Sequence, residues 1–167
     1  MSNWTHFDKK GKACMVNVGE KAPTHRRALA EGWVRLTPII CEVLENGEIK
    51  KGNPLPISEL AGIMGAKWTP QLIPLCHQIT LDSVSVQCEY ISDKQAVRII
   101  CEAFAHGVTG VEMEALTGVS VAALVLYDMC KGIDKGMVLT GIRLLEKSGG
   151  KSGEWCSGEE KSCELFG

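Results

Sequence analysis

The segment Leu72–His77 combines residue types that can carry proton-transfer chemistry. It contains Pro74 and ends in Cys76 and His77, and a histidine at the end of such a loop can act as an acid or base or donate to a phosphate. The alternative is a partly buried histidine with satisfied hydrogen bonds. Because neighbouring side chains of an extended chain point to opposite sides, Cys76 and His77 are not expected to form a nucleophile–base pair.

Two glutamates lie at the start of a predicted long helix. Residues 109–112 match the capping box, in which a Thr and a Glu satisfy the first backbone N–H groups. Acids near a helix N-terminus are also stabilised by the dipole, so a structural role is a strong alternative for Glu112 and Glu114. Met113, which lies between them, is of a type that serves packing more often than ligand contact.

Asp128 lies near the predicted end of the same helix, where the dipole disfavours an acid. Lys131 suits that end of the helix and compensates Asp128 only by a few tenths of a kcal/mol, so Asp128 is the stronger functional candidate. Asp128 is 14 residues beyond Glu114, which is about 21 Å along a straight helix. Either the two ends serve different purposes, or two subunits bring the start of one helix near the end of another.

Further cations lie in the remaining segments, several in loops flanked by Gly or Pro, where a Lys can reach an anionic ligand: Arg26, Arg27, Lys51, Lys67, Lys147 and Lys151. A solvated surface charge is the alternative for each. Residues 148–152 resemble the end of a P-loop, but Leu145 stands where that motif needs Gly and no helix is predicted to follow. A Walker A site is therefore rejected, and a flexible glycine-rich clamp over phosphates is the remaining functional interpretation.

The elements that must position these residues follow the order β, αα, β, β, α, β. The first is a strand over 26–36, followed by a helix from Thr37-Pro38 to Gly47 and a second helix with apolar residues at 57, 60, 61 and 64. An irregular loop over 67–80 leads to two strands, over 82–90 and 96–105, joined by a turn at 92–94. A long helix closed by Gly132 and a strand over 137–145 complete the order. With the two short helices as one layer, this predicts an α+β, ferredoxin-like βαββαβ fold. Its sheet is antiparallel, with the helices on one face.

The centre of the long helix is uncharged from Ala115 to Tyr127, 13 residues, whereas a membrane span needs about 20. We therefore expect no membrane span. A helix that is apolar on every side is buried on every side, which a domain this small does not easily achieve alone. The sequence therefore predicts an oligomer.

Composition narrows the class of protein. The 167 residues suit one domain. The 45% of hydrophobic residues excludes a disordered chain, and the net charge of −2 gives little support for nucleic-acid binding. The eight cysteines include no C-x-x-C pair, and the N-terminus lacks an apolar signal core. We expect reduced thiols, a cytoplasmic location, one domain over 1–155 with mobility from Lys147 onward, and a flexible tail over 156–167.

Five strings taken together resemble the MoaC family, the cyclic pyranopterin monophosphate synthases of molybdenum-cofactor biosynthesis. They are Met15–Val18, Leu72–His77, Thr109–Leu116, Val121–Lys131 and Lys147–Gly153. The resemblance runs from about Thr5 to Trp155. It implies a ferredoxin-like homohexamer, a trimer of dimers, with the sites at the dimer interface.

The resemblance also implies a reaction and a set of residues. A 3′,8-cyclised dihydro-GTP becomes cyclic pyranopterin monophosphate and pyrophosphate, in a phosphorus–oxygen lyase reaction. Asp128 matches the family's assigned active-site residue, and the other matching residues line the substrate site or surround the nucleotide with positive charge: Leu75, Cys76, His77, Glu112, Met113, Lys51, Lys67, Lys131, Lys147 and Arg26. Glu114 is counted with the substrate-binding residues.

A triphosphate needs cations, and rearranging a purine into a pterin needs proton transfers. Our hypothesis makes Lys51 and Lys131 the acid–base pair, with Asp128 holding Lys131, while His77 and Arg26 act on the phosphate side. No metal site is predicted within the protein; any Mg²⁺ would arrive with the triphosphate.

The sequence departs from the usual family pattern at four positions: Asn17, Asn53, Gln78 and Gly136. The main rival to the enzyme hypothesis is a ferredoxin-like module that binds or senses a small molecule without turnover. A nucleic-acid-binding domain ranks third. Sheets that bind nucleic acid carry an excess of basic residues and an exposed aromatic platform, and this sequence lacks both.

Overall fold

The computed structural model describes residues 10–47 and 52–158, which form one five-stranded antiparallel sheet covered on one face by helices. Its elements are β1 Thr24–Arg35, α1 Pro38–Asn46, α2 Pro54–Lys67, α3 Thr69–Leu72, β2 Ser83–Ile91, β3 Ala96–Gly107, α4 Glu112–Cys130, β4 Val138–Ser148 and β5 Trp155–Cys156. The strand order β2-β3-β1-β4-β5 confirms the predicted ferredoxin-like arrangement. The short helix α3 and the edge strand β5 were not predicted.

Local signals set the helix boundaries as expected. Gly47 ends α1 with φ of +68°, a conformation that glycine adopts at no steric cost. The Asn53 side chain caps α2 by accepting a hydrogen bond from the Leu55 backbone N–H at 3.1 Å. Asn17 likewise accepts from Gly19 N–H at 2.9 Å. Both asparagines that depart from the family pattern therefore make their local backbone bonds.

The strand register fixes the direction of α4. Thr24 of β1 lies opposite Gly107, where β3 ends, and Arg35 lies opposite both Ala96 of β3 and Val138 of β4. Because α4 connects the end of β3 to the start of β4, it begins at the Thr24 edge of the sheet and ends at the Arg35 edge. Its two termini therefore lie at opposite edges of the molecule.

The packing of α2 against α4 depends on small residues. A Cβ on Gly62 would lie 2.9 Å from the Gly118 carbonyl oxygen, and one on Gly65 would lie 2.6 Å from a methyl group of Val121. Neither position has room for a side chain, so the two helices approach as closely as their backbones permit.

The apolar spacing at 57, 60, 61 and 64 correctly predicted α2, but these residues do not form its buried face. Leu60 and Met64 are more than half exposed, and Ile57 is exposed as well. The buried residues of α2 are Pro54, Ser58, Gly62, Gly65 and Ala66. The helix turns its small residues toward α4 because only they fit, and its large apolar residues face outward.

The long helix α4 is long and apolar enough by composition to cross a membrane, but 56% of its apolar window is buried within the protein. Its buried residues, among them Ala115, Val119 and Leu126, pack into the core. The apolar character of α4 is therefore accounted for by the fold. Leu124 is 58% exposed in the single chain, so the burial on every side that was expected within an oligomer stays a prediction.

The opposite face of the sheet carries ion pairs over a small apolar cluster of Leu29, Ile100 and Leu145. Glu31 is buried and accepts hydrogen bonds from Arg98 and Arg143 at 2.8 to 3.0 Å. Burial alone would raise the pKa of Glu31, but these arginines outweigh it and lower that pKa.

Arg27, on the same face, pairs with Glu102 at 2.5 Å and with Glu146 at 2.7 Å. Burial would lower the pKa of Arg27, but the hydrogen bonds to the two carboxylates raise it. Arg27 is therefore a paired structural charge, and the solvated surface charge weighed for it from the sequence does not describe it.

Candidate active site

Two adjoining clefts lie at the edge of the molecule where α4 begins. The larger, here called the basic cleft, measures about 640 Å³. Its lining includes Lys21, Thr24, Arg26, Glu112, Lys147, Lys151 and Ser152, together with Gly149 and Gly150. The smaller, here called the carboxylate cleft, measures about 160 Å³ and is lined by Cys76, His77, Ile79, Thr109, Gly110, Glu112, Met113 and Glu114. The two clefts share Thr109, Gly110 and Glu112, so a single elongated ligand can reach both.

Arg26 lies near the start of β1 and lines the basic cleft. Its Nε donates a hydrogen bond to the Gly107 carbonyl oxygen at 3.2 Å, which ties the side chain to the end of β3. A guanidinium fixed through Nε keeps its two terminal nitrogens available for a phosphate or a carboxylate.

Lys147 joins the two walls of the basic cleft. Its Nζ donates to the Ser152 hydroxyl at 2.6 Å and lies 3.4 Å from the Glu112 carboxylate. Lys147 is thus fixed between the end of β4 and the start of α4, at the point where the clefts meet.

The segment from Lys147 to Cys156 consists of the end of β4, a turn and the edge strand β5, and the mobility expected from Lys147 onward stays a prediction. The last long strand was predicted to end at Leu145, but β4 continues through Ser148, and β5 pairs with it by placing Trp155 opposite Lys147. The turn between them closes by a hydrogen bond from Gly153 N–H to the Gly150 carbonyl oxygen at 3.2 Å. The predicted domain end at 155 and the tail over 156–167 stay predictions, and residues 159–167 lie outside the described part of the chain.

His77 is half-buried and anchored by the backbone. Its Nε2 lies 2.8 Å from the Val16 carbonyl oxygen. A carbonyl oxygen only accepts, so Nε2 carries a proton and the neutral ring would have its lone pair on Nδ1. The alternative weighed for His77, a histidine with satisfied hydrogen bonds, is therefore correct for Nε2. The ring also lines the carboxylate cleft.

Glu114 is the most perturbed acid of the site. Its side chain is almost fully buried. Burial, together with the neighbouring charge of Glu112, raises the pKa of Glu114 to about 7, against the opposing effect of a hydrogen bond from its own backbone N–H. A carboxyl with this pKa exchanges its proton near neutral pH, which suits a general acid or base.

The predicted capping box does not form. Helix α4 begins at Glu112 after the buried Val111, and no side chain caps it. The Glu112 carboxylate lies over Gly110, where a Cβ would overlap it, and faces Lys147. Glu112 is therefore a residue of both clefts. Of the structural alternative weighed from the sequence, the capping box is wrong, whereas Glu112 does lie in the first turn of α4, where the helix dipole stabilises an acid.

Cys76 is half-buried beside Glu114. Burial, with a smaller contribution from that carboxylate, raises the pKa of the Cys76 thiol, so it is not an activated nucleophile. Met113 is partly exposed in the carboxylate cleft, and Leu75 is half-buried one residue before Cys76.

The other predicted residues lie away from these clefts. Asp128 and Lys131 form an ion pair of 2.6 Å near the far end of α4. The hydrogen bond to Asp128 and its charge raise the pKa of Lys131, so in the single chain this lysine is a cation at neutral pH. Lys67 is exposed at the end of α2 and lines neither cleft, and Lys51 lies outside the described residues.

The site also contains residues that the sequence did not single out. Lys21, Thr24 and Ser152 line the basic cleft. Ser152 falls within the Lys147–Gly153 string, but Lys21 and Thr24 gave no local signal because the pairing of β1 with β3 and β4 brings their segment to this edge. Within residues 10–47 and 52–158, no group of three or more His, Cys, Asp or Glu side chains could hold a metal ion.

The fold and these clefts define a ferredoxin-like α+β protein with a cleft lined by several cations beside a carboxyl whose pKa is raised to about 7. A family model described as the MoaC family matches residues 15–150, and the chain belongs to that family.

Curated relatives agree with this assignment, and each is named cyclic pyranopterin monophosphate synthase. The relative from Rhodospirillum rubrum is 52% identical over 151 residues, covering 90% of this chain and 91% of the relative. The relative from Methylobacterium sp. strain 4-46 is 50% identical over 94% of this chain and 98% of its own length. The relative from Corynebacterium efficiens is 50% identical over 93% of this chain and 99% of its own length.

Proposed function

We propose that this chain is a cyclic pyranopterin monophosphate synthase, an enzyme of molybdenum-cofactor biosynthesis. It converts 3′,8-cyclo-7,8-dihydro-GTP to cyclic pyranopterin monophosphate and releases pyrophosphate. The observation that carries the proposal is the basic cleft adjoining the carboxylate cleft that Glu114 lines, in a chain about half identical to named synthases over nearly their whole length.

The basic cleft suits the triphosphate. Arg26, Lys147 and Lys151 line it, so a polyanion gains several charge-assisted hydrogen bonds there. Forming the cyclic phosphate requires a substrate oxygen to attack the α-phosphorus while the bond to pyrophosphate breaks. Cations in this position stabilise the charge that develops on the leaving group.

The carboxylate cleft suits the nucleobase of the substrate. Remaking the purine as a pterin moves protons on and off ring nitrogens, and Glu114, with its pKa near 7, can both give and take one. His77, held by the Val16 carbonyl oxygen, offers its second ring nitrogen nearby as a hydrogen-bonding group. The phosphate end and the ring end of one nucleotide would then occupy the two adjoining clefts.

The catalytic roles given to Lys131 and Asp128 require a second copy of the chain, whereas Lys51 lies outside the described residues. Lys131 and Asp128 cannot reach a ligand in the clefts of their own subunit, because they and the clefts lie at opposite ends of α4. A two-fold axis perpendicular to the helices would set the end of one α4 beside the start of the other. In such a dimer, burial of Lys131 beside substrate would lower its pKa toward that of a usable acid or base.

An exposed apolar surface supports this assembly. Large side chains on α2 and α3, with Leu124 of α4, are more than half exposed: Leu60, Met64, Trp68, Leu72 and Leu124. Apolar patches of this kind mark interaction surfaces. We propose that this helical face joins two copies into the dimer, three of which make the hexamer.

The remaining parts of the proposal are the setting and the metal. We expect the enzyme to act in the cytoplasm, with its cysteines as thiols. Any Mg²⁺ would enter bound to the triphosphate, since Mg²⁺ usually keeps several waters and binds through substrate phosphates.

The direct experiment is to incubate the purified protein with the cyclised dihydro-GTP. We expect stoichiometric pyrophosphate and a product that oxidises to a fluorescent pterin. Binding without turnover would favour the non-enzymatic module. Absence of binding would exclude both the enzyme and the module that binds a small molecule. An Arg26→Ala variant serves as the control for the anion cleft, and its Michaelis constant should rise.

A further inference from the structure

The Arg26 guanidinium occupies the space that a side chain at position 150 would fill. Gly150 has φ of +70°, and a Cβ built on it would overlap Nη1 of Arg26 and lie 2.9 Å from Nη2. On its other side, Arg26 is held through Nε by the Gly107 carbonyl oxygen. The guanidinium is thus enclosed between the end of β3 and the turn that follows β4.

We propose that Gly150 is a positioning residue, whose missing side chain sets the orientation in which Arg26 meets the phosphates of the substrate. The proposal rests on the proposed function for the identity of the anion. It assigns to the turn a fixed structural role in place of the flexible clamp expected from its Gly and Ser content.

The physical reason lies in the geometry of arginine. A guanidinium binds phosphate through parallel N–H groups of a planar fork, so its orientation decides how many hydrogen bonds form. An arginine already held in that orientation loses less conformational freedom when the anion binds. A methyl group at position 150 would displace the fork and remove this advantage.

A neighbouring glycine separates this role from a plain backbone requirement. Gly153 has φ of +61°, but a Cβ there would meet nothing within 4 Å. Alanine strains the backbone at both positions, because both need the left-handed conformation. Only at position 150 does it also collide with Arg26.

The test compares Gly150→Ala with Gly153→Ala in the full chain, by calorimetric binding of inorganic triphosphate. We expect similar falls in Tm for both variants. Gly150→Ala should weaken binding at least about tenfold, the effect of losing one charge-assisted hydrogen bond, while Gly153→Ala should change it less than about twofold. Gly150→Asn carries the same Cβ in a residue that tolerates this conformation, and it is used if Gly150→Ala does not fold.

A double variant identifies the route of the effect. If Gly150 acts through Arg26, then Gly150→Ala adds nothing to the loss caused by Arg26→Ala. Equal losses in Gly150→Ala and Gly153→Ala, or additive losses in the double variant, would overturn the proposal. So would a wild-type chain that binds no triphosphate, whereas a chain that binds triphosphate but does not turn over the nucleotide would overturn the proposed function alone.

Discussion

At the scale of single residues, the chemistry depends on groups whose surroundings change their protonation. Glu114 and Asp128 are both acids of α4, but the first is buried beside another carboxylate and the second is exposed and paired with Lys131. The sequence identified both as candidates. It ranked Asp128 above Glu114, because the burial that raises the pKa of Glu114 comes from residues distant along the chain and gives no local signal.

Glu114 makes folding stability depend on pH near neutrality. Its pKa in the folded chain is about 7, above the ordinary value of about 4.3, so the folded state binds more protons than the unfolded state between these values. Its contribution to stability is full below the ordinary pKa and is lost as pH rises through 7. The free energy of unfolding of the wild type should therefore fall between pH 5 and pH 8 by roughly 2 kcal/mol more than that of Glu114→Gln.

Urea unfolding at several pH values measures this difference. Glu42→Gln, which alters an exposed glutamate on α1, should leave the pH dependence of the wild type unchanged. Parallel curves for Glu114→Gln and the wild type would contradict the raised pKa.

At the scale of elements, hydrophobic periodicity located the helices and strands, while packing decided their faces. The alternation over 82–90 predicted β2 and its buried side, since Val86 and Cys88 are buried there. For α2 the same reasoning chose the wrong face, because the close approach to α4 admits only Gly62, Gly65 and Ala66. That approach could not be predicted from the sequence of α2 alone.

The outer face of the sheet gives a prediction about stability. Glu31→Gln would leave Arg98 and Arg143 without their carboxylate, and it should lower the free energy of unfolding by about 2–4 kcal/mol at neutral pH. Because the pKa of Glu31 is lowered in the folded chain, this loss should shrink as pH falls through that pKa. Chemical denaturation measures it, with Glu89→Gln on the edge strand β2 as the control, and equal stabilities for the two variants would count against the buried pair.

The outward face of α2 gives a prediction about assembly. Leu60→Lys places a charge in the exposed apolar surface without touching the core, so it should shift the protein to a smaller species in sedimentation analysis. Ser92→Lys adds the same charge in the exposed turn between β2 and β3 and should leave the mass unchanged. If Leu60→Lys keeps the wild-type mass, the dimer does not form through this face.

At the scale of the whole molecule, the central feature is the separation of two candidate functional acids, Glu114 and Asp128, along one helix. The sequence predicted it from the spacing of Glu114 and Asp128, and the register of β1 with β3 and β4 places the two ends of α4 at opposite edges. Lys147, Arg26 and Glu112 gather at one edge only because β1, β4 and α4 meet there. Their joint cleft was therefore beyond prediction from local patterns.

The most direct test of the account is complementation between two inactive variants. His77→Ala damages the clefts, and Lys131→Ala damages the far end of α4. When the two chains are co-expressed, mixed dimers contain one site with both defects and one intact site, so about a quarter of all sites should be restored if dimers form at random. We predict pyrophosphate release from cyclised dihydro-GTP near that fraction of the wild-type rate. An inactive mixture of folded, wild-type-sized oligomers would contradict a site shared between two copies.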